Sequence, residues 1–286
     1  MTETKNDFKS TLKSLDTEEH IDIYFYRRIG YAEAKLAEKL GITPNAITIA
    51  SIFIGVAAGI CFYPVNLWVN ICGLLLLILA NSFDSADGQL ARMTKQYSPL
   101  GRILDGMAGD FWFISIYVCI CLRTNQTIVW FEEHTWVVWV LAVAAGVCHA
   151  FQAAMADYYR QMHLQVVNGK SELSDSADLS QKLKEAKGLN KLIQGLYLGY
   201  TRCQEALTAN AQTLRKRGEL PAEFRQKSLP LMKWANALTF NWRSITIAVT
   251  LLAGVPWVYF ACELVLGNII LIYMIARHEA ACRSLL

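Results

Sequence analysis

Charge is what this sequence has least of. Asp, Glu, Lys and Arg make up 18% of its 286 residues, hydrophobic residues make up 54%, and the mean hydropathy is +0.27. A soluble domain usually carries roughly 25% charge, so the shortfall points to lipid as the solvent. From Asn45 to Phe83 there is no charged side chain, and Ser244–Ala276 contains only Glu263. Such a chain is neither disordered nor a small disulfide scaffold. It also lacks a collagen-like or other internal repeat and any low-complexity tract, and no cleavable secretory signal is expected, since its first 40 residues are polar and charged. Its eight cysteines (Cys61, Cys72, Cys119, Cys121, Cys148, Cys203, Cys262 and Cys282) form no Cys-x-x-Cys pair of metal-binding spacing. Cys119 and Cys121, two apart, point away from each other on a helix, and the set reads as small apolar filler.

A helix rises about 1.5 Å per residue, so about 20 apolar residues cross a core of about 30 Å. The apolar runs predict six spans, near 45–63, 65–92, 99–122, 134–160, 236–255 and 257–278. Tight hairpins are expected at Pro64 and Pro256, and a longer turn around Arg123–Glu133. The expected class is an all-α integral membrane protein. Its Lys and Arg residues are one-sided: those three turns hold only Arg123, beside Glu132 and Glu133. The other side holds Arg27, Arg28, Lys35, Lys39, Arg92, Lys95, Arg102, a basic stretch from Arg160 to Arg243, then Arg277 and Arg283. Positive residues stay inside, so both termini are expected in the cytoplasm, on a face suited to anionic headgroups.

Residues 1–20 read as a polar tail. Residues 21–41 place Ile29, Ala32, Leu36 and Leu40 at helical spacing, with Arg28, Glu33, Lys35, Glu38 and Lys39 on other faces. That is the pattern of an amphipathic helix lying along the inner interface. Gly41 is placed to end it, and Thr43-Pro44-Asn45 to open the next helix with Thr43 or Asn45 as N-cap. Residues 42–286 then form one six-span membrane domain with a cytoplasmic insert at 161–235. Within the insert, SELSDSADLSQKLKEAKG reads as loop plus exposed helix and NKLIQGLYLGYTRCQEAL as a second amphipathic helix.

The carboxylates at the membrane edge carry the chemistry. Asp84 follows Val65 by 19 residues, about 29 Å along the second span, and Asp105 precedes Arg123 by 18, about 27 Å along a third span running the other way. Asp84, Asp87 and Asp105 therefore meet at one cytoplasmic level, with Asp84 and Asp87 on one helix face. Three packed carboxylates resist ionising together unless a cation neutralises them. Oxygen ligands without thiolate or clustered histidine favour Mg²⁺, Mn²⁺ or Ca²⁺, whose open positions phosphate oxygens complete. Gly88 and Ala91 leave a groove beside Asp87, and Arg92 offers a fork for phosphate. Ser98-Pro99 opens the third span, where Gly101 and Gly106 are expected to allow close approach of a neighbour. From these residues alone the site is a divalent-metal phosphate site facing the cytoplasm.

The run Asp84-Ser-Ala-Asp87-Gly88-Gln-Leu-Ala91-Arg92, eight residues, Gly101, three residues, Asp105 resembles the CDP-alcohol phosphotransferase signature, D-x2-D-G-x2-A-R-x8-G-x3-D-x3-D. Seven fixed positions match, from Asp84 to Asp105. The six spans, the juxtamembrane helix and the Thr43-Pro44-Asn45 opening are similar to the family as well. One departure stands out, because the last aspartate of the signature falls at Gly109 and this chain has Asp110 beside it. On a regular helix Asp110 is turned about 100° from position 109. A π-bulge among Gly106, Ala108 and Gly109 would swing it back.

The resemblance implies two Mg²⁺ or Mn²⁺ ions held by Asp84, Asp87 and Asp105, with Asp110 as fourth ligand and base. It places Gly88, Ala91, Arg92 and Gly101 against the CDP moiety. The implied reaction moves a phosphoalcohol, in the first instance a phosphatidyl group, from a CDP-linked donor to an acceptor hydroxyl and releases CMP. Arg243, about 18 Å in from the Gly254–Pro256 break, and Arg160, which ends the fourth span, would suit an acceptor with its own phosphate. This resembles phosphatidylinositol phosphate synthase-like members, with inositol phosphate or a similar polyol phosphate as acceptor. A CDP-ethanolamine or CDP-choline phosphotransferase acting on a lipid hydroxyl is the alternative. A divalent-cation transporter is a remote one, since such sites lie near the midplane between repeats. Partners expected are the donor, the acceptor, the bilayer and a second copy in a homodimer, with no nucleic acid. His149 and Glu263 read as packed interhelical groups, and nothing in the sequence requires His278 at the site.

Overall fold

A computed structural model describes residues 14, 16–169, 173, 175–218 and 220–286. Among them all regular structure is helical. The polar tail expected at 1–20 lies mostly outside the described residues. Among the described residues, four helical stretches are long and apolar enough to cross a membrane, as in a multi-pass membrane protein: Leu67–Thr94, Leu104–Thr127, Thr135–Val167 and Val258–Arg283. Pro44–Ile60 is apolar but shorter.

The chain divides into two compact units, one of residues up to Ala145 with Arg243–Cys262, the other of Gly146–Trp242 with Glu263–Leu286. The first opens with a π turn, Asp22–Tyr26, running into α1 (Arg27–Lys39). Gly41, at φ +69°, closes α1, and the Ile42 N–H returns to the Ala37 carbonyl. This left-handed closure strains any residue with a Cβ. Thr43 then caps α2 (Pro44–Ile60) by accepting the Ala46 N–H, with Pro44 at the first helical position, where its missing N–H costs nothing. Asn66 caps α3 (Leu67–Thr94), so the hairpin expected at Pro64 is a six-residue turn around it. Arg123 holds that turn. Buried within α4 (Pro99–Thr127), it donates to the carbonyls of Phe62 and Pro64 and to Asn70 Oδ1. It is therefore an internal clamp, not the loop cation that counting charges suggested. The expected long turn is also shorter, because α4 runs to Thr127 and α5 (Val129–Glu133) follows at once.

Close helix contact in this unit rests on small residues. A Cβ at Gly55 of α2 would lie 2.1 Å from the Trp112 ring of α4, and one at Gly59 would lie 2.4 Å from Ser115 Oγ. A further cluster joins Ala34 and Ala37 of α1 to Ala86 and Leu90 of α3 and Ile47 of α2. From Arg243 on, α12 (Phe240–Leu252) also belongs here, stopping before Gly254 at φ +77°.

Among the second unit's helices are α7 (Ser176–Glu185), α8 (Gly188–Leu207), α9 (Ala209–Lys216), α10 (Ala222–Ser228) and α11 (Met232–Asn236), beside the later part of α6 (Thr135–Asn168). Its core joins Met155, Tyr158, Tyr159 and Met162 of α6 to Leu214, Phe224, Met274 and Cys282. The chain also breaks regularity where an unbroken span was expected. α13 (Val258–Cys262) gives way to a π turn, Glu263–Gly267, before α14 (Asn268–Arg283). Gln152 of α6 donates to the Glu263 carbonyl and approaches Asn268 Oδ1. A carbonyl released from the α ladder there finds a side-chain partner. All eight cysteines are free thiols.

Candidate active site

Two helix ends build the site. α3 carries Asp84 and Asp87 in its last turns and stops when Lys95 takes a left-handed conformation, φ 56°. α4 starts again at Pro99, capped by Ser98, whose Oγ accepts the Gly101 N–H at 2.8 Å and donates to Asn45 Oδ1 at 3.1 Å. One hydroxyl thus ties the start of α4 to the start of α2. Gly101 leaves room for that same Asn45 oxygen, which a Cβ there would displace. Gly106 has no such duty: a Cβ there meets nothing within 4 Å, contrary to the expectation of close approach.

Among the described residues, Asp84, Asp87 and Asp105 form a group in which one ligand atom from each lies within 4.8 Å of the others. Asp87 is buried, Asp84 half-buried and Asp105 exposed, so the group opens outward at α4. Charges this close repel by several kcal/mol at an effective dielectric of about 20. A set of hard oxygens, with no sulfur or imidazole, matches the preference of Mg²⁺ or Mn²⁺. The donor set fits a divalent ion on its chemistry.

Asp87 is further fixed by Thr48 of α2, 2% exposed, whose hydroxyl donates to Asp87 Oδ2 at 2.5 Å. The same hydroxyl lies 3.1 Å from the Pro44 carbonyl. A hydroxyl has one proton, and the charge-assisted bond to an ionised carboxylate outcompetes the neutral one. Sequence reading missed Thr48, which sits in the uncharged run after Pro44 where every residue looks like lipid filler.

Beside the carboxylates, Gly88 and Ala91 are half-buried and Arg92 folds back over Gly88: a Cβ at Gly88 would lie 3.4 Å from Arg92 Nη1. The expected groove is thus roofed by a guanidinium. α1 braces the next face of α3. Ser82 Oγ donates to Glu33 Oε1 at 3.0 Å, and Arg27 Nη1 donates to Ser85 Oγ at 3.2 Å. Burial pushes the Glu33 carboxyl above its ordinary range, partly offset by the Ser82 hydroxyl.

The remaining expected residues are placed differently. α4 is regular α-helix from Pro99 to Thr127, so the π-bulge that would realign Asp110 is not there. Gly109 supplies room without bending the helix, and Asp110 is exposed and outside the three-carboxylate group. Arg243, on α12 of the first unit, is buried at 6% exposure. Arg160 belongs to the second unit, where its Nη2 donates to Asn236 Oδ1 at 2.7 Å. His278 is buried in that unit, stacked on Tyr159 with ring centroids 4.1 Å apart.

A family model described as CDP-alcohol phosphatidyltransferase matches residues 41–183, half of the chain, and this stretch includes all three aspartates of the group. No curated protein matches the chain.

Proposed function

The chain belongs to the CDP-alcohol phosphatidyltransferase family, and from that premise we propose that it is a phospholipid-synthesis transferase of the membrane. It moves a phosphatidyl group from a CDP-linked donor to an acceptor hydroxyl and releases CMP. The observation that carries this is the convergence of Asp84, Asp87 and Asp105 within 4.8 Å beside the Gly88–Arg92 cradle.

Asp84, Asp87 and Asp105 would hold two divalent ions, and bound Mg²⁺ or Mn²⁺ supplies charge neutralisation at the diphosphate and at the attacking and leaving oxygens. Arg92 pairs with phosphate across Gly88, and Ala91 and Gly101 keep the helices narrow at the CDP moiety. Asp110, five residues beyond Asp105 on α4 and outside the three-carboxylate group, is assigned the acceptor's O–H proton on its place beside the last aspartate position of the signature. The acceptor oxygen then bonds to the β-phosphorus, the bridging P–O bond breaks, and CMP leaves with its electron pair. Thr48 keeps one Asp87 oxygen occupied and so aims the other at the ions.

The acceptor is a polyol phosphate such as inositol phosphate. The support is charge: Arg243 is a buried guanidinium on an apolar helix, where a cation marks a functional group. Arg160 is assigned to the same acceptor class on its place at the end of the fourth expected span. Six spans are read from the apolar runs, both termini and the site are put on the cytoplasmic side by the one-sided Lys and Arg, and residues 161–235 form the cytoplasmic insert. α1 lies in the inner interface, with Leu36 and Leu40 about 60% exposed toward lipid. The working unit is a homodimer.

The test is CMP release by purified protein in detergent with Mg²⁺ or Mn²⁺. CDP-diacylglycerol is offered with inositol phosphate, glycerol phosphate, inositol and serine, and CDP-ethanolamine and CDP-choline with diacylglycerol. We expect release that depends on a phosphorylated acceptor. Release only from the CDP-ethanolamine or CDP-choline arms would reverse the assignment of donor and acceptor, and none from any pair would overturn the transferase.

A further inference from the structure

The N-terminal segment reaches the edge of the candidate site. Arg27, the first residue of α1, engages α3 twice: its Nη1 donates to Ser85 Oγ at 3.2 Å, and its carbonyl accepts Gln89 Nε2 at 3.1 Å. Its Nε donates to Glu18 Oε2 at 2.9 Å. At 100° per residue, Ser85 and Arg92 fall within about 20° of each other on α3, so both lie on one stripe. Arg92 folds back one turn over Gly88, which brings its guanidinium toward the level where Arg27 meets Ser85. Arg27, Glu18 and Asp87 all lie close enough for their charges to act on Arg92. Two guanidinium groups therefore share one edge of the groove beside the aspartates.

Two cations side by side repel, and here a carboxylate separates them from that cost. The Glu18 side chain is only 5% exposed. Arg27 holds one of its oxygens, while the other, Oε1, is buried with no hydrogen bond among the described residues. A buried carboxylate oxygen left without a donor is costly and gains by returning to water or by being replaced. Phosphate oxygens would satisfy the Arg27 fork at least as well.

We propose that Arg27 is a second cation of the donor-diphosphate subsite and that Glu18 is the internal anion occupying it until the donor arrives. This rests on the transferase reading above, but neither residue lies in the matched stretch 41–183, so the assignment belongs to this chain's own N-terminal segment. On donor binding, Arg27 exchanges the Glu18 carboxylate for phosphate oxygens while Ser85 keeps its guanidinium in place. Glu18 swings out and recovers hydration. CMP, which has one phosphate where the donor has two, gives Arg27 less to hold, so the exchange separates donor from product.

The experiment is calorimetric titration of the full chain in detergent with Mg²⁺, using CDP and CMP as probes, on wild type, Arg27→Gln and Glu18→Gln. Arg27→Gln should weaken CDP about tenfold and CMP about twofold at most, shrinking the CDP/CMP affinity ratio. Glu18→Gln should tighten CDP about threefold, because a neutral amide competes less for the guanidinium. Opposite signs from two partners of one ion pair are not what a purely structural pair gives. If both variants weaken CDP, or Arg27→Gln leaves the ratio unchanged, the proposal is overturned. Wild type that binds CMP but prefers it to CDP also overturns it, whereas wild type that binds neither nucleotide takes down the transferase reading itself.

Discussion

In the first unit three carboxylates face one another within 4.8 Å, whereas in the second unit a carboxylate of the same kind is spread over three donors. Glu279 Oε2 accepts the Asn210 N–H at 2.7 Å, and Oε1 accepts the Ala211 N–H and the Tyr159 hydroxyl, each at 3.3 Å. It caps α9 where the helix dipole favours a negative charge. In the same unit Arg215 meets Asp175 at 3.4 Å, and buried His163 meets Ser228 at 2.7 Å. These groups are answered from within the unit and hold the fold. In the first unit like charge is gathered, with one Asp87 oxygen held by Thr48, and such clustering is the condition under which a cation binds.

The largest expected effect lies where the contrast is sharpest. Asp87→Asn removes the buried member of the group and should lower the rate of CMP release by about three orders of magnitude, corresponding to several kcal/mol of lost charge stabilisation. A variant retaining a tenth of the wild-type rate would break the comparison. Asp110→Asn should cost about a hundredfold in kcat with little change in KM, as the loss of a general base does. An equal loss in Mn²⁺ affinity would move Asp110 into the ion-holding set instead.

Glu279→Ala probes the other side. It strands two N–H donors and should destabilise by about 1–3 kcal/mol, read as a lower thermal midpoint, while kcat in the surviving fold stays unchanged. Lost activity at unchanged stability would erase the distinction between the units. The smallest effect is at Glu33, whose folded-state carboxyl holds its proton more tightly than it would unfolded. Its charge therefore disfavours the fold once pH rises above the unfolded value, and the penalty grows to its full size above the folded one. Glu33→Gln, which keeps an acceptor for Ser82, should raise the thermal midpoint slightly at pH 8, and this gain should shrink as pH falls toward 5. A gain that grows with acidity would contradict the sign.

What could be read in advance was what depends on spacing along one chain. The distance from Asp84 to Asp105 and the caps at Thr43 and Ser98 are local, and so is the closure at Gly41. The unforeseen features depend on a partner far away in sequence. Thr48 meets Asp87 across 39 residues, Arg27 meets Ser85 across 58, and Arg123 meets the Phe62 carbonyl across 61. A threonine in an apolar run and an arginine in a turn carry no local mark of such work. The π turn at Glu263 belongs with them, because its released carbonyl is answered by Gln152, 111 residues earlier. Asp110 is the opposite case: its offset from Gly109 was plain in the sequence, and the helix did not bend to remove it.

The most direct measurement is Mn²⁺ binding to the full chain in detergent, followed by electron paramagnetic resonance on wild type, Asp87→Asn and Glu279→Gln. We expect wild type and Glu279→Gln to bind Mn²⁺ alike, and Asp87→Asn to lose it. Mn²⁺ bound equally by all three, or by none, would contradict a metal centre at Asp84, Asp87 and Asp105.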